Sequence, residues 1–566
     1  MGTLCLTYLL TTLLTATSTA DTLPQFTSRA GVVQGRIEHV HNKPVETFKG
    51  IPFALPPTNH LRWRSPQREH NWTHVRIADT FGSACFQSAD AFVKYYPVNV
   101  SEDCLYLNVY RPHSVSSSTT AAPLPVMLFF YGGSYVYGAA SFLAYEAAER
   151  IARNPNTIIV TSNYRLQALG YLGGDLLREF GTNTTGNWGL LDQRAAMRWV
   201  QDNAVAFGGD ANKVTIFGES AGAGSVSCHM AAKGSWPYFS RAIMESGPIA
   251  ASWISMPMQD SNVVLNQVSA LVGCPLNGTA QARLTCLRNV PASALYAAGR
   301  HANPGDKGGD GLIDFAPVVD GVVLTESPYS ALKNKNVHKI PILFGTNRDE
   351  GTEFVSERHV PDEAGYKAWA LSKFGVDLAQ KVMAMYPSSN YNNSWQAAVQ
   401  AFGDEAMSCP ARKTARLMSE AGIDAYLYFL THELKLIGLF DGKLGVFHGT
   451  DLVYVFGKSI ALWGDEDETI ANAFGDWWTS FATTGVPVST VVGHAETWAP
   501  YNSSVDNHMN IDASSTMKNG LKRKLCDFWD QHPLESVGNG LFRGGARKWE
   551  GTGLAKLFNG DNKVGA

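Results

Sequence analysis

Val214-Thr215-Ile216-Phe217-Gly218-Glu219-Ser220-Ala221-Gly222 is the stretch from which the rest of the chain is best read. A β-branched, apolar run passes straight into G-x-S-x-G, and a small-residue segment of helical character, 221–232, follows. A strand that turns at once into a helix holds its serine on a strained elbow above the sheet edge. Glycines on either side leave room for neighbouring backbone. A serine hydroxyl is a weak nucleophile at neutral pH, so it needs a base and a set of donors for developing negative charge. Alone, the same pattern describes any glycine-rich strand–helix turn, so partners elsewhere must decide.

The base is sought among fifteen histidines. His448 stands apart in Gly445-Val446-Phe447-His448-Gly449-Thr450-Asp451, a glycine-flanked loop running into the apolar Leu452-Val453-Tyr454-Val455-Phe456. A loop histidine beside packed structure suits a base that is held yet faces a cavity. A carboxylate must fix its tautomer. The run Pro341-Ile342-Leu343-Phe344-Gly345-Thr346-Asn347-Arg348-Asp349-Glu350-Gly351 is a buried-looking strand leading to a turn with two acids. Either Asp349 or Glu350 satisfies the requirement, and one of them is free to pair with Arg348. The chain order serine, acid, histidine is that of the α/β-hydrolases. Oxyanion donors are expected from Phe130-Tyr131-Gly132-Gly133-Ser134-Tyr135, after a strand at 126–131, together with the amide of Ala221. No G-K-S/T follows those glycines, which excludes a phosphate loop.

The wider chain agrees. It has 566 residues, 45% of them hydrophobic and 17% charged, with a net charge of −4. That composition supports a sizeable core and argues against nucleic acid as a partner. Strand-like runs at 126–131, 158–162, 214–217, 242–245, 340–345 and 425–430 alternate with helical segments such as 189–203 and 261–272. Several are apolar almost throughout, as strands covered on both faces are. The fold class is therefore α/β, with a mainly parallel central sheet, helices on both faces and long insertions at the carboxyl ends of strands. No linker divides the chain, so residues 21–566 read as one domain; 114–122 is a Ser/Thr/Ala loop.

Residues 1–20 read as a secretory signal, with an apolar stretch at 4–14 and small residues at Ser18-Thr19-Ala20. No later run is long and apolar enough for a spanning helix, so no stable membrane anchor is expected. Six N-x-S/T sequons, at Asn71, Asn99, Asn183, Asn277, Asn392 and Asn502, mark candidate glycosylated loops. Of eight cysteines, Cys5 lies in the signal, leaving seven. Cys85 and Cys104 bracket a short loop, as do Cys274 and Cys286, while Cys409 and Cys526 would tie down the C-terminal region. Cys228 is the expected buried free thiol. Metal-ligand spacings are absent, and neither a metal nor a cofactor is expected. The sequence carries nothing on oligomeric state.

Taken together, these motifs resemble the type-B carboxylesterases, the family of cholinesterases, fungal lipases and the non-catalytic neuroligins. The likeness extends to Phe48-Lys49-Gly50-Ile51-Pro52-Phe53-Ala54, Ser101-Glu102-Asp103-Cys104-Leu105-Tyr106-Leu107-Asn108, Gly189-Leu190-Leu191-Asp192-Gln193 and Phe207-Gly208-Gly209-Asp210. The resemblance implies an α/β-hydrolase fold and a secreted serine hydrolase of small-molecule carboxylic esters. It implies Ser220 as nucleophile, Glu350 as acid, His448 as base, and oxyanion donors at Gly133, Ser134 and Ala221. It matches the cysteine pairs 85–104, 274–286 and 409–526. Ser134 departs from the family pattern, which has a third glycine there. Trp253, Phe315 and Phe354 match acyl-side or gorge aromatics, and Glu353 falls where cholinesterases often carry a choline-stacking aromatic. The loop between Cys85 and Cys104 has 18 residues and no tryptophan. Both facts weigh against a strict choline specialist. A lipase or acyl transferase would use the same triad.

Overall fold

The computed structural model describes residues 23–87, 99–117, 122–302, 315–436 and 443–533. The expected signal, residues 1–20, lies outside the described residues.

Eleven strands form one sheet: β1 (Arg36–Val40), β2 (Lys43–Pro52), β3 (Tyr106–Pro112), β4 (Leu124–Phe130), β5 (Ile158–Ser162), β6 (Gly209–Glu219), β7 (Arg241–Glu245), β8 (Ile342–Asn347), β9 (Ala425–Leu430), β10 (Asn507–Ile511) and β11 (Thr516–Asn519). Their spatial order is 11-10-9-8-7-6-4-5-3-2-1. Strands β4 to β10 run parallel, and antiparallel strands flank them at both edges. The sheet is thus mixed at its margins and parallel where it carries the site. Strands β5, β8 and β9 are buried at every residue, as their near-continuous apolar sequences require.

The main helices are α1 (Trp188–Asn203), α2 (Ala221–Ala231), α3 (Ser394–Gly403), α4 (Cys409–Glu420), α5 (Thr450–Phe456), α6 (Asp465–Thr484) and α7 (Arg523–Gln531). Adjacent side chains of a strand point to opposite faces. Phe129 of β4 meets Phe456 of α5 at 5.0 Å, whereas Phe130 meets His229 of α2 at 5.7 Å. Helices therefore cover both faces of the sheet. The apolar core is continuous from β2 to β10 and takes in α5 and α6.

Residues 114–122, read from sequence as a loop, begin with one helical turn, Ser114–Ser117. Disulfides join Cys85 to Cys104, Cys274 to Cys286 and Cys409 to Cys526. Cys228 is buried and unpaired. No helix among the described residues is long and apolar enough to cross a membrane.

Candidate active site

The site lies where β4, β6, β7 and β8 end. Ser220 sits between β6 and α2 with φ 54° and ψ −124°, a backbone state that L-residues rarely adopt. Its N–H donates to Glu245 O at 2.8 Å, and its carbonyl accepts from Gly224 N at 2.8 Å. The motif glycines are dictated by crowding. A β-carbon on Gly222 would lie 1.9 Å from Phe130 O, and one on Gly218 would lie 2.6 Å from the same oxygen. A third glycine, Gly247, is needed for the same reason, since its β-carbon would stand 2.6 Å from Ser220 O.

Glu350 and His448 meet from separate segments. His448 Nδ1 lies 2.5 Å from Glu350 Oε2. Glu350 is buried, and its Oε1 accepts from Ser246 Oγ at 2.5 Å and from Asn347 N at 2.8 Å. The histidine loop is laid against the end of β8 by three bonds. Asp349 N donates to Val446 O at 2.9 Å, Asn347 Nδ2 to Phe447 O at 3.0 Å, and Val446 N to Asp349 Oδ2 at 2.8 Å. The glycines flanking the loop, Gly445 and Gly449, have φ of 60° and 84°. The choice between the two acids is resolved by direction. Asp349 faces Arg348, Val446 N and Gln400, each at 2.8 Å, so it serves the backbone, while Glu350 faces the imidazole.

A second carboxyl, Glu219, approaches the other side of the ring. Its Oε1 lies 3.1 Å from His448 Nε2, yet neither atom has a hydrogen-bond partner among the described residues. Burial pushes the Glu219 carboxyl up to about 8, with the His448 charge opposing. For His448, burial acts downward, but Glu219 and Glu350 outweigh it and raise the imidazole to about 10. Asp451, one turn further on, is raised to about 6 by burial and is held by Tyr428 Oη at 2.7 Å. The edge of the Phe354 ring covers His448 at 5.0 Å.

After β4, three successive residues have positive φ: Gly133 at 110°, Ser134 at 53° and Tyr135 at 62°. Such runs turn successive N–H groups inward as an anion-binding concavity. The N–H groups of Gly133, Ser134 and Ala221 bond to no other described group. The turn closes on Ser220, since a β-carbon on Gly132 would lie 2.9 Å from Ser220 Cβ. Val136 N and Tyr137 N both donate to Gly133 O, at 2.9 and 3.1 Å, and Gln167 N donates to Tyr135 O at 2.7 Å. Ser134 is buried in a left-handed conformation that costs a β-carbon-bearing residue roughly 1 kcal/mol.

The expected pocket residues divide. Trp253 is buried, donates from Nε1 to Ala406 O at 3.1 Å, and packs beside Gly224 of α2. Phe354 stacks on Phe402 at 5.1 Å as well as covering His448. Glu353 is half-buried, and its charge reaches His448, Glu219 and Tyr137. Phe315 is a core aromatic, and no ring contact joins it to Ser220 or His448 among the described residues. Sequence reading missed Ser246 and gave Glu219 no role. The latter stands inside the G-x-S-x-G motif, and Ser246-Gly247 directly follows the strand read at 242–245. No cluster of three or more His, Cys, Asp or Glu among the described residues is arranged to hold a metal.

This arrangement on an eleven-stranded α/β sheet has a family. The chain belongs to the carboxylesterase family, whose model matches residues 22–529, and is a carboxylic ester hydrolase of the α/β-hydrolase fold. Among its relatives, a cholinesterase of Mus musculus is 30% identical over 534 residues, covering 89% of this chain and 86% of its own. Acetylcholinesterase 1 of Caenorhabditis elegans is 31% identical over 536 residues, covering 86% and 84%.

Proposed function

We propose that the protein is a secreted serine carboxylesterase that cleaves small-molecule esters through an acyl-enzyme, with Ser220 as nucleophile, His448 as base and Glu350 as the orienting acid. One observation carries this reading. The Glu350–His448 pair converges on the strained elbow of Ser220, beside three unbonded backbone N–H groups.

Glu350 accepts from His448 Nδ1–H, which leaves the Nε2 lone pair toward the serine side. Burial keeps Glu219 largely protonated at neutral pH, and a neutral Glu219 no longer holds the proton on Nε2. His448 Nε2 takes the Ser220 proton as Oγ bonds to the ester carbonyl carbon. The carbonyl π pair moves to oxygen, and the N–H groups of Gly133, Ser134 and Ala221 receive that oxyanion. As the tetrahedral intermediate collapses, the C–O bond to the leaving alkoxide breaks and Nε2–H protonates it. Water, deprotonated by Nε2, then attacks the acyl carbon, and Oγ leaves with the proton. No cofactor enters these steps.

Secretion rests on the signal-like residues 1–20 and on six sequon asparagines, Asn71, Asn99, Asn183, Asn277, Asn392 and Asn502, all exposed. The 21–566 segment acts as a single catalytic domain. The test is covalent and kinetic. An organophosphate should label Ser220, and a Ser220→Ala protein that still hydrolyses p-nitrophenyl esters would sink the assignment.

A further inference from the structure

A cavity of about 740 Å³ lies away from the triad, enclosed by residues 250–258, the start of α4 and the end of α7. That volume falls in the range of sites for small organic ligands. Ala251, Ile254, Met258, Pro410 and Trp529 give it apolar walls. Most of its charged rim is engaged. Glu326 binds Asn334 and Asn336 at 2.7 and 2.8 Å, Asp530 binds Arg416 at 2.8 Å, and Lys333 and Lys413 lie over the Tyr329 ring at 5.5 and 5.0 Å. Glu405 differs. It lines the cavity, is only 8% exposed, and has neither hydrogen bond nor ion pair among the described residues. Burial raises its carboxyl to about 7, with Lys373 opposing. A buried carboxyl without a partner costs roughly 1–3 kcal/mol, which a donor from a ligand would offset.

Glu405 also stands on a connecting element. It belongs to a single π-helical turn, Asp404–Ser408, between α3 and α4. Such turns inside α-helices recur at functional sites. Just before it, Gly403 packs on Glu350, since a β-carbon there would lie 3.1 Å from Glu350 Cβ. Just after Glu405, Ala406 O holds Trp253 Nε1 at 3.1 Å. The wall residues Ala251 and Ile254 flank Trp253, which packs on the helix that follows Ser220. One short turn therefore touches the cavity, the acid of the triad and the tryptophan behind the nucleophile helix.

We propose that this cavity is a second binding site, for a small amphiphile with an aliphatic body and a hydroxyl head that donates to Glu405, and that its occupancy acts on ester cleavage through the 404–408 turn. The neighbouring lysine Lys373 makes a neutral donor a better match than an ammonium, and a carboxylate head would face Glu405 as a like charge.

The probe is decan-1-ol, with decanoate as its contrast. Binding is read by tryptophan fluorescence, because Trp529 lines the cavity. The protein is first capped at Ser220 with an organophosphate, so the catalytic pocket is blocked and the binding arm does not depend on the proposed catalytic role. Saturable binding of decan-1-ol to the capped protein is expected, with decanoate binding at least tenfold more weakly. Glu405→Met should weaken the alcohol about tenfold, the equivalent of one hydrogen bond to a charged group. Ala250→Phe, which fills the cavity, gives the same readout should the first variant fail to fold. In uncapped protein, saturating decan-1-ol should change turnover of a p-nitrophenyl ester at least twofold, and the change should vanish in Glu405→Met. Absence of saturable binding to capped protein, or equal affinity in both variants, overturns the site. Binding with unchanged turnover overturns the coupling.

Discussion

Replacing Glu350 by glutamine changes one atom and should nearly abolish turnover. The structure fixes which way the new amide lies. Oε1 receives Asn347 N at 2.8 Å and Ser246 Oγ at 2.5 Å. The hydroxyl can turn to accept, but the backbone N–H can only donate, so the amide oxygen takes the Oε1 position. The amide NH₂ then occupies the Oε2 position, 2.5 Å from His448 Nδ1. Two N–H donors cannot face each other at that distance, so Nδ1 becomes the bare nitrogen and the proton moves to Nε2. The lone pair is lost from the side that must take the serine proton. Carboxylate-to-amide changes of this kind in serine triads lower kcat by roughly ten-thousandfold, or about 5.5 kcal/mol. Steady-state turnover of a p-nitrophenyl ester, with Tm measured alongside, gives the answer. The neighbouring acid is the control. Asp349→Asn should keep turnover within about fivefold and lose roughly 1 kcal/mol of stability, because Arg348 is largely solvated and the backbone acceptor survives. A Glu350→Gln protein within tenfold of the parent, or an Asp349→Asn protein a thousandfold slower, would refute the direction assigned to the two acids.

Glu219→Gln removes a carboxyl 3.1 Å from His448 Nε2 that raises the imidazole, so the acid limb of kcat/KM should move down by about one pH unit. A limb that moves up, or stays in place, contradicts this. Ser134→Gly removes a left-handed side chain while adding unfolded-state freedom of similar size, so stability should stay within about 0.5 kcal/mol. Its kcat should stay within about threefold, because the N–H is presented by either residue; a tenfold change would show that the side chain shapes the hole. His508 is buried and lowered from 6.5 to about 4, so the unfolded chain binds the proton first. Its stabilising effect is full above pH 6.5 and falls toward pH 4, by roughly 3 kcal/mol. Calorimetry should show that loss flattened in His508→Gln.

What sequence could tell followed from how local each constraint is. The apolar runs of β5 and β9 give their own boundaries, because a strand buried on both faces must be apolar along its length. The elbow was legible because its glycines answer to steric contacts within a few residues. The pairing of Glu350 with His448 spans 98 positions, and residue pattern alone left Asp349 equally eligible. Only the register of the 445–448 loop against β8 turns one acid to the backbone and the other to the ring. Glu219 stayed without a role because nothing in a sequence measures the distance of its carboxyl from a ring that arrives 229 residues later. Phe315 shows the opposite failure: a position that matches a pocket aromatic is occupied by a core residue.

The site also contains its own comparison, because the elbow is built twice. Glu219-Ser220 ends β6 and Glu245-Ser246 ends β7, and the two glutamates pair across the sheet. Ser220 N donates to Glu245 O at 2.8 Å, and Ser246 N donates to Gly345 O at 2.9 Å, each serine stepping onto the end of the next strand. Both carry positive φ, 54° and 56°. Backbone strain alone therefore cannot make a serine reactive. Ser246 is fully buried and gives its hydroxyl to Glu350, whereas Ser220 is half-exposed and stands under the unbonded N–H groups of the glycine turn. The glutamates differ in the same way, since Glu245 is tied to Trp478 Nε1 at 2.9 Å while Glu219 Oε1 remains open toward His448. What distinguishes the proposed nucleophile from its twin is access to the ester and to the anion-binding turn. The twin serine keeps a structural task, holding the acid still while the histidine moves its proton.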